Sequence, residues 1–314
     1  MLFRYPFVAM GSGCEILIEG EDSRRAKAMI QSALEQVERL EAKYSAYRDT
    51  SLLSRINRDA HVRAVEIDAE TGTLLALAGE LHGETGGRFD PTIGTLHGLW
   101  DFRGMAIPPA QAVAARLEAV GWRHVELAPG SVRLAHPATR LDLGGIVKEY
   151  AVDCAVAALE GLGAPRALVN LGGDVRVAGR GQPLERPFRI GVAHPRRHHD
   201  CCATLRVNSG AVVTSGDYQR YFIRDGQRYH HLLDPRSGAP LALRFTGVTA
   251  HGATALEALR RGKTLFAGDP EAPLPAPGAW AWLVCGADGE PERWEESAAC
   301  RISPYPRTAA KQAG

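Results

Sequence analysis

Several things are missing from this 314-residue chain, and each absence excludes a class of protein. No apolar run approaches the roughly 18 residues that a membrane-crossing helix needs. The start, MLFRYPFVAMGSG, has no charged segment followed by a long apolar stretch, so neither export by an obvious signal nor anchoring is expected. Charge of one sign is also lacking: Lys plus Arg is 37 against 36 for Asp plus Glu. A net charge of +1 supplies no field to steer the protein onto nucleic acid or an anionic membrane, so any phosphate must be bound locally. Lysine is scarce, at positions 27, 43, 148, 263 and 311 only. The six cysteines (14, 154, 201, 202, 285, 300) form no C-x-x-C and no Cys/His cluster at zinc spacing. A chain this long needs no disulfides, and a reducing cytoplasm fits best. Cys201-Cys202 could be redox-active, but Arg197, His198, His199 and Asp200 beside it read as an exposed loop, and the inert reading is favoured. There is no G-x-G-x-x-G after a first strand, no G-x-x-x-x-G-K-[ST], and no repeat with a period of 20 to 50 residues.

What is present is average for a globule: 45% hydrophobic, 23% charged and 7% aromatic residues. Roughly three quarters of the unfolded chain's surface should be buried on folding, enough for a sizeable core. Cys14 to Glu19 alternate as a strand. Asp22-Ser23 then caps a helix whose Ala26, Met29-Ile30, Ala33-Leu34, Val37, Leu40 and Tyr44 recur at three and four. Further helices are expected at 69–84, opening after Asp68 and stopping at Gly86-Gly87, at 108–120, at about 146–162 and at 254–267. Strands are expected at 125–127, 132–134, 167–171, 175–178, 188–192, 203–207, 211–214 and 280–284. Asp225-Gly226 between two alternating runs marks a hairpin, and Pro270 to Pro277 a Pro-rich connection. Strands and helices in irregular order imply α+β with mixed sheets rather than a doubly wound parallel sheet.

Four segments are denser in Gly, Asp, Thr and Ser than packing requires. They are GRFDPTIG (87–94), LDLGGIVKEY (141–150), VNLGGDV (169–175) and TSGDYQRYF (214–222), the last followed by HHLLDPRSGAP from His230. In the second, a strand ends at Gly144-Gly145 and a helix begins. Such a junction lets backbone approach a ligand and aims free N–H groups at an anion, with Lys148 one turn in. Taken singly, each segment can be read as ordinary turn chemistry.

In this order, and together with Ala9-Met10-Gly11-Ser12, Ser45-Ala46-Tyr47, Ser51 to Asn57 and Leu99-Trp100, the segments resemble the ApbE-type flavin transferases. The resemblance covers most of residues 9 to about 240. It implies a single α+β, T-fold-like domain over 1–300, with mixed or antiparallel sheets flanked by helices, and a C-terminal tail at 301–314. It implies binding of FAD with Mg²⁺ and transfer of the FMN half to a Thr or Ser hydroxyl of an acceptor flavoprotein, with release of AMP. A flavin-binding protein without transferase activity, or an FAD pyrophosphatase using water as the nucleophile, are the alternatives. On the same likeness Met10, Tyr47, Asp142, Lys148 and Leu233 contact the dinucleotide, the Gly145 carbonyl and Glu257 hold the metal, and His231 is the general base. An imidazole, with an ordinary pKa near 6.5, suits proton transfer near neutrality.

The likeness departs from the family at one informative place. Family members carry a carboxylate and, four residues on, a metal-binding Thr. The corresponding residues here are Glu257 and Arg261, within ATALEALRRGKTLF. Arginine has no lone pair to offer a metal. Arg261 could pair with Glu257 and replace the metal as a phosphate clamp, the helix could be shifted so that Thr254 or Thr264 serves, or metal-dependent transfer could be lost. A plain solvated i,i+4 ion pair remains open beside these. Leu52, where the family often has Glu, is a smaller departure.

Overall fold

The computed structural model describes residues 1–20, 22–179 and 183–305. It opens on strands β1 (Leu2–Ala9) and β2 (Ser12–Glu19), paired from Leu2↔Glu19 to Ala9↔Ser12. Their turn is the two-residue Met10-Gly11, with φ of 50° and 70°, the twist that tight hairpins favour. The expected first strand is therefore β2, and β1 was missed because its outward residues are mostly exposed and it lies on the sheet edge.

Helix α1 (Ser23–Tyr44) buries all eight residues named from the periodicity, and Asp22 caps it by accepting from the Arg24 amide at 2.8 Å. Next come α2 (Leu52–Asp59), capped by Ser51, the short β3 (Val65–Glu66), and α3 (Ala69–Glu84), capped by Asp68 at the expected position. Helix α4 spans Ala110–Leu117, shorter than the expected 108–120. Pro109 is its cap rather than its first turn, and the amides of Ala119 and Val120 reach back only three residues. Strands β4 (Val125–Ala128) and β5 (Ser131–Leu134) form a small sheet with β3.

Helix α5 (Val147–Gly161) leads into β6 (Arg166–Leu171) and β7 (Asp174–Ala178). Strands β8 (Phe188–Ala193) and β9 (Cys201–Val207) follow, then β10 (Ala211–Gly216). The Asp225-Gly226 turn joins β11 (Tyr221–Arg224) to β12 (Gln227–His230), as the sequence indicates. Strand β13 (Gly247–Gly252), helix α6 (Ala255–Ala267), and strands β14 (Trp282–Cys285), β15 (Pro291–Glu295) and β16 (Cys300–Pro304) complete the chain. β16 carries regular structure past residue 300, where the tail was expected to start, and residues 306–314 lie outside the described residues.

Three layers result. An eight-stranded sheet, in the order β1-β2-β6-β7-β10-β13-β14-β15, forms the middle. Every strand pair described is antiparallel, so of the two expected sheet types the antiparallel one is present. Helices α1, α5 and α6 cover one face, and the small sheet β16-β9-β8 covers the other. Strands of the middle sheet are thus buried on both sides and lose the alternation of half-buried strands. All six residues of β13 are buried, and its GVTAHG gave no period-two signal to read.

The vicinal cysteines belong to β9, not to the loop before it. Successive strand residues face opposite ways, so Cys201 is exposed while Cys202 is buried with its sulfur 3.7 Å from that of Cys285.

Candidate functional site

The sheet's connectivity gathers the four Gly-rich segments at one end. β2 and β6 are antiparallel, with Cys14 opposite Leu171, so the Met10-Gly11 and Gly172-Gly173 turns lie side by side. A Cβ on Gly172 would stand 2.8 Å from that of Ser12, an approach only glycine allows. α5 packs back along β6, which brings its own first turn to the same end: Lys148 Cδ lies 3.8 Å from the Gly172 position. The end of β10, with Thr214 to Gly216, arrives beside Asp174.

Asp142 precedes α5 in an extended segment that Asn57 of α2 holds in place. The Asn57 amide donates to the Leu141 carbonyl at 2.9 Å and accepts from the Leu141 N–H at 2.7 Å, standing in for a neighbouring strand. Asp142 itself takes the Gly144 N–H at 2.7 Å and lies 3.0 Å from Nε2 of His97. Burial works to raise the Asp142 carboxyl, but the His97 ring and the Gly144 amide outweigh it and hold the pKa below the ordinary value; His97 is raised in return by Asp142.

His231 lies just beyond β12. Its Nδ1 is 3.1 Å from the carbonyl oxygen of Arg220, and its own amide donates to the same oxygen at 3.0 Å. A carbonyl can only accept, so Nδ1 carries the proton and Nε2 keeps its lone pair. Burial pushes the ring down to about 4, with the charges of Arg220, His230 and Lys263 adding to it against the Arg220 carbonyl. The imidazole is therefore neutral at pH 7, the form a base requires. The Arg220 guanidinium ties these parts together: it lies 3.8 Å from the Gly11 position, and its charge acts on Asp142, His97 and His231.

The other expected residues are placed as follows. Met10 occupies its hairpin turn and donates its amide to Glu41 at 2.9 Å. Lys148 is paired with Asp174, whose other oxygen takes the Thr214 amide at 3.1 Å, so the lysine expected to reach the dinucleotide is engaged in joining α5 to β7 and β10. Tyr47 is 84% exposed and touches no residue of the cluster through a hydrogen bond. Leu233 is half-buried and bridges Pro240.

Asp90, in the first segment, is a structural carboxylate. It accepts from Thr92 N and Oγ1 at 2.8 and 2.6 Å and from Trp122 N at 2.9 Å. Asp217, in the fourth, is held bidentately by Arg196 at 2.7 and 2.8 Å. His97, Arg220 and Lys263 belong to the cluster and were not singled out by sequence. His97 stands three residues past Gly94 and was hidden between two stretches that were read, and Arg220 sits inside TSGDYQRYF without a motif of its own.

The side chains as they stand do not fit a magnesium site at Gly145 and Glu257. Thr254 and Glu257 cap α6 together: the hydroxyl accepts from the Glu257 amide at 3.1 Å, and Oε2 of Glu257 accepts from the Ala253 amide at 2.7 Å. The remaining oxygen, Oε1, is 2.6 Å from Arg261, whose guanidinium also donates to the His251 carbonyl at 2.9 Å. Thr264 donates its hydroxyl back to the carbonyls of Arg260 and Arg261 along its own helix. Next to Gly145 stands a cation, the Lys263 ammonium, 3.8 Å from where a Cβ on that glycine would be. Among the described residues no group of three or more His, Cys, Asp and Glu could hold a metal ion. The TALE sequence that suggested a metal ligand is a helix-capping signal in this fold.

Two surface hollows of about 400 and 370 Å³ lie elsewhere, at 242–244 with 270–273 and between β1 and α1.

The model of the ApbE family matches residues 10–273. An FAD:protein FMN transferase of Treponema pallidum (strain Nichols) is 33% identical over 256 residues, covering 74% of this chain and 69% of that one. One of Klebsiella pneumoniae (strain 342) is 33% identical over 261 residues, covering 82% and 79%. Among solved structures, the ApbE protein of Thermotoga maritima superposes with a TM-score of 0.80 at 30% identity, over 93% of this chain and 97% of its own. Flavin transferase ApbE of Vibrio cholerae gives 0.78 at 24% identity over 95% and 98%, a likeness of fold.

Proposed function

This chain belongs to the ApbE family, and on that premise we propose that it is an FAD:protein FMN transferase whose base is His231 and whose nucleotide anchor is Asp142. The observation that carries the assignment of roles is that one guanidinium, that of Arg220 at the Met10-Gly11 turn, acts on both Asp142 and the neutral His231.

The reaction follows from that geometry. A Thr or Ser hydroxyl of the acceptor flavoprotein attacks the FMN-side phosphorus of FAD. A phosphoester bond forms, the pyrophosphate P–O bond breaks, and AMP leaves. Nε2 of His231 takes the hydroxyl proton, while its Nδ1–H stays bound to the Arg220 carbonyl, which fixes the ring's tautomer and direction. Asp142, kept ionised by His97 and the Gly144 amide, offers its free lone pairs to hydroxyl groups of the nucleotide. Helix α5 has no side-chain cap, and its Ile146 and Val147 amides turn back to the Leu143 carbonyl, so the next amides, of Lys148 and Glu149, are the ones available to a phosphate. No step runs through Mg²⁺: of its expected ligands, Glu257 is held by the Ala253 amide and Arg261. Six free thiols suit a reducing compartment, and we place the reaction in the cytoplasm; no helix among the described residues is long and apolar enough to cross a membrane.

The test is to incubate the protein with FAD and a candidate acceptor, with and without Mg²⁺, and to follow AMP, free FMN and covalently bound flavin. AMP together with labelled acceptor is the expected result. AMP with free FMN would make the protein a pyrophosphatase, and unchanged bound FAD would make it a carrier.

A further inference from the structure

α6 carries three cationic side chains, Arg260, Arg261 and Lys263, and two of them are spent. Arg260 is bound to Glu80 and Glu84 of α3, and Arg261 to Glu257 and the His251 carbonyl. Lys263 has neither an ion pair nor a hydrogen bond among the described residues. At 3.6 residues per turn it projects roughly 160° away from Arg261 around the helix. That side faces Phe89, whose ring centroid is 5.6 Å from the ammonium, and Gly145 at the start of α5. The side chain is partly buried, and burial lowers its pKa from the ordinary lysine value, with Glu149 attracting its charge through space and Lys148 repelling it.

A partly buried ammonium with no partner among the described residues is stabilised by an incoming anion. Two features therefore favour negative charge at one point: the Lys148 and Glu149 amides at the start of α5, which has no side-chain cap, and Lys263 beside Gly145. An ammonium is a compact charge with three rotatable donors and can bridge oxygens of adjacent phosphates. Standing there, it also repels a divalent cation.

We propose that Lys263 is the clamp for the bridging phosphates of the dinucleotide, supplying from the chain itself the positive charge that a metal ion would otherwise bring. The identity of the ligand rests on the reading of this site as an FAD site; the clamp can stand or fall separately.

The experiment titrates FAD and, separately, phosphate-free riboflavin into the full chain in EDTA or in Mg²⁺. The wild-type protein binds FAD equally well in both buffers. Lys263→Met lowers FAD affinity about 10- to 100-fold, the loss of a charge-assisted contact, and leaves riboflavin binding unchanged, which also shows that the variant is folded. Lys263→Arg restores most of the affinity, and Lys263→Gln behaves like Lys263→Met. Full FAD affinity in both neutral variants overturns the clamp, as does wild-type binding that is lost in EDTA and returns with Mg²⁺. AMP release and acceptor labelling by the wild-type protein are read in parallel. FAD held through Lys263 without transfer keeps the clamp and removes the transferase; transfer with unimpaired Lys263→Met keeps the transferase and removes the clamp.

Discussion

His231 shows how a residue's surroundings decide its chemistry. In water its ring would be half-protonated near pH 6.5, but here burial and nearby cations push it down to about 4. A base works unprotonated, so His231 is expected to impose no acid limb on kcat/KM for FAD between pH 8 and about 5, and to lower it only on approaching 4. Bound diphosphate brings negative charge that favours the protonated ring, so the acid limb of kcat should lie at higher pH than that of kcat/KM. A kcat/KM limb near 6.5 would mean that the ring is open to solvent. His231→Ala should abolish transfer while FAD still binds, and unchanged turnover would remove His231 from the mechanism. The sequence named this histidine through family likeness. It could not give the Arg220 carbonyl as its partner, because that contact crosses the β11–β12 hairpin.

Among the elements, the Ser51–Asn57 segment is the clearest case of a motif whose work is indirect. Its serine caps α2 and its asparagine replaces a missing strand beside Leu141. Asn57→Ala strips two backbone groups of their partners, so a loss of about 1–3 kcal/mol is expected. Thermal unfolding should show it, accompanied by weaker FAD binding because Asp142 is the next residue. Normal binding in a destabilised Asn57→Ala protein would detach α2 from the site.

The junction of α1, α3 and α5 depends on pH. Glu70 receives Arg39 at two distances of 2.8 Å, Lys43 at 2.6 Å and the Tyr150 hydroxyl at 3.1 Å. Arg39 foremost, then Lys43, hold the Glu70 carboxyl down to about 2 against the effect of burial. A depressed carboxyl contributes its stability above its ordinary 4.5 and loses it as pH falls toward 2. Denaturant midpoints of the wild-type protein should therefore drop over that window, and Glu70→Gln should flatten the drop. An equally steep drop in Glu70→Gln would assign it to other carboxylates.

On the scale of the molecule, the central sheet is sandwiched between a helical layer and a second sheet, and apolar side chains from β6, β7 and β10 enter both cores. Layers that share a middle sheet should unfold together, so calorimetry is expected to show one transition with matching calorimetric and van't Hoff enthalpies. Two resolved transitions would divide the chain into separate folding units. What the sequence determined by itself were the elements that end on local chemistry. The caps Asp22, Asp68 and Thr254, the turn Asp225-Gly226 and the apolar stripe of α1 all depend on neighbours a few residues away. The order of Gly-rich segments likewise placed the site's backbone. Tertiary structure alone decided which charges are free. Lys148 is consumed by Asp174 and Arg260 by Glu80 and Glu84, while Lys263, which carried no motif, is left beside Gly145 without an ion pair among the described residues. An ion pair forms wherever folding brings opposite charges within a few ångströms, and that distance is set by sheet order and helix packing between residues far apart in the chain.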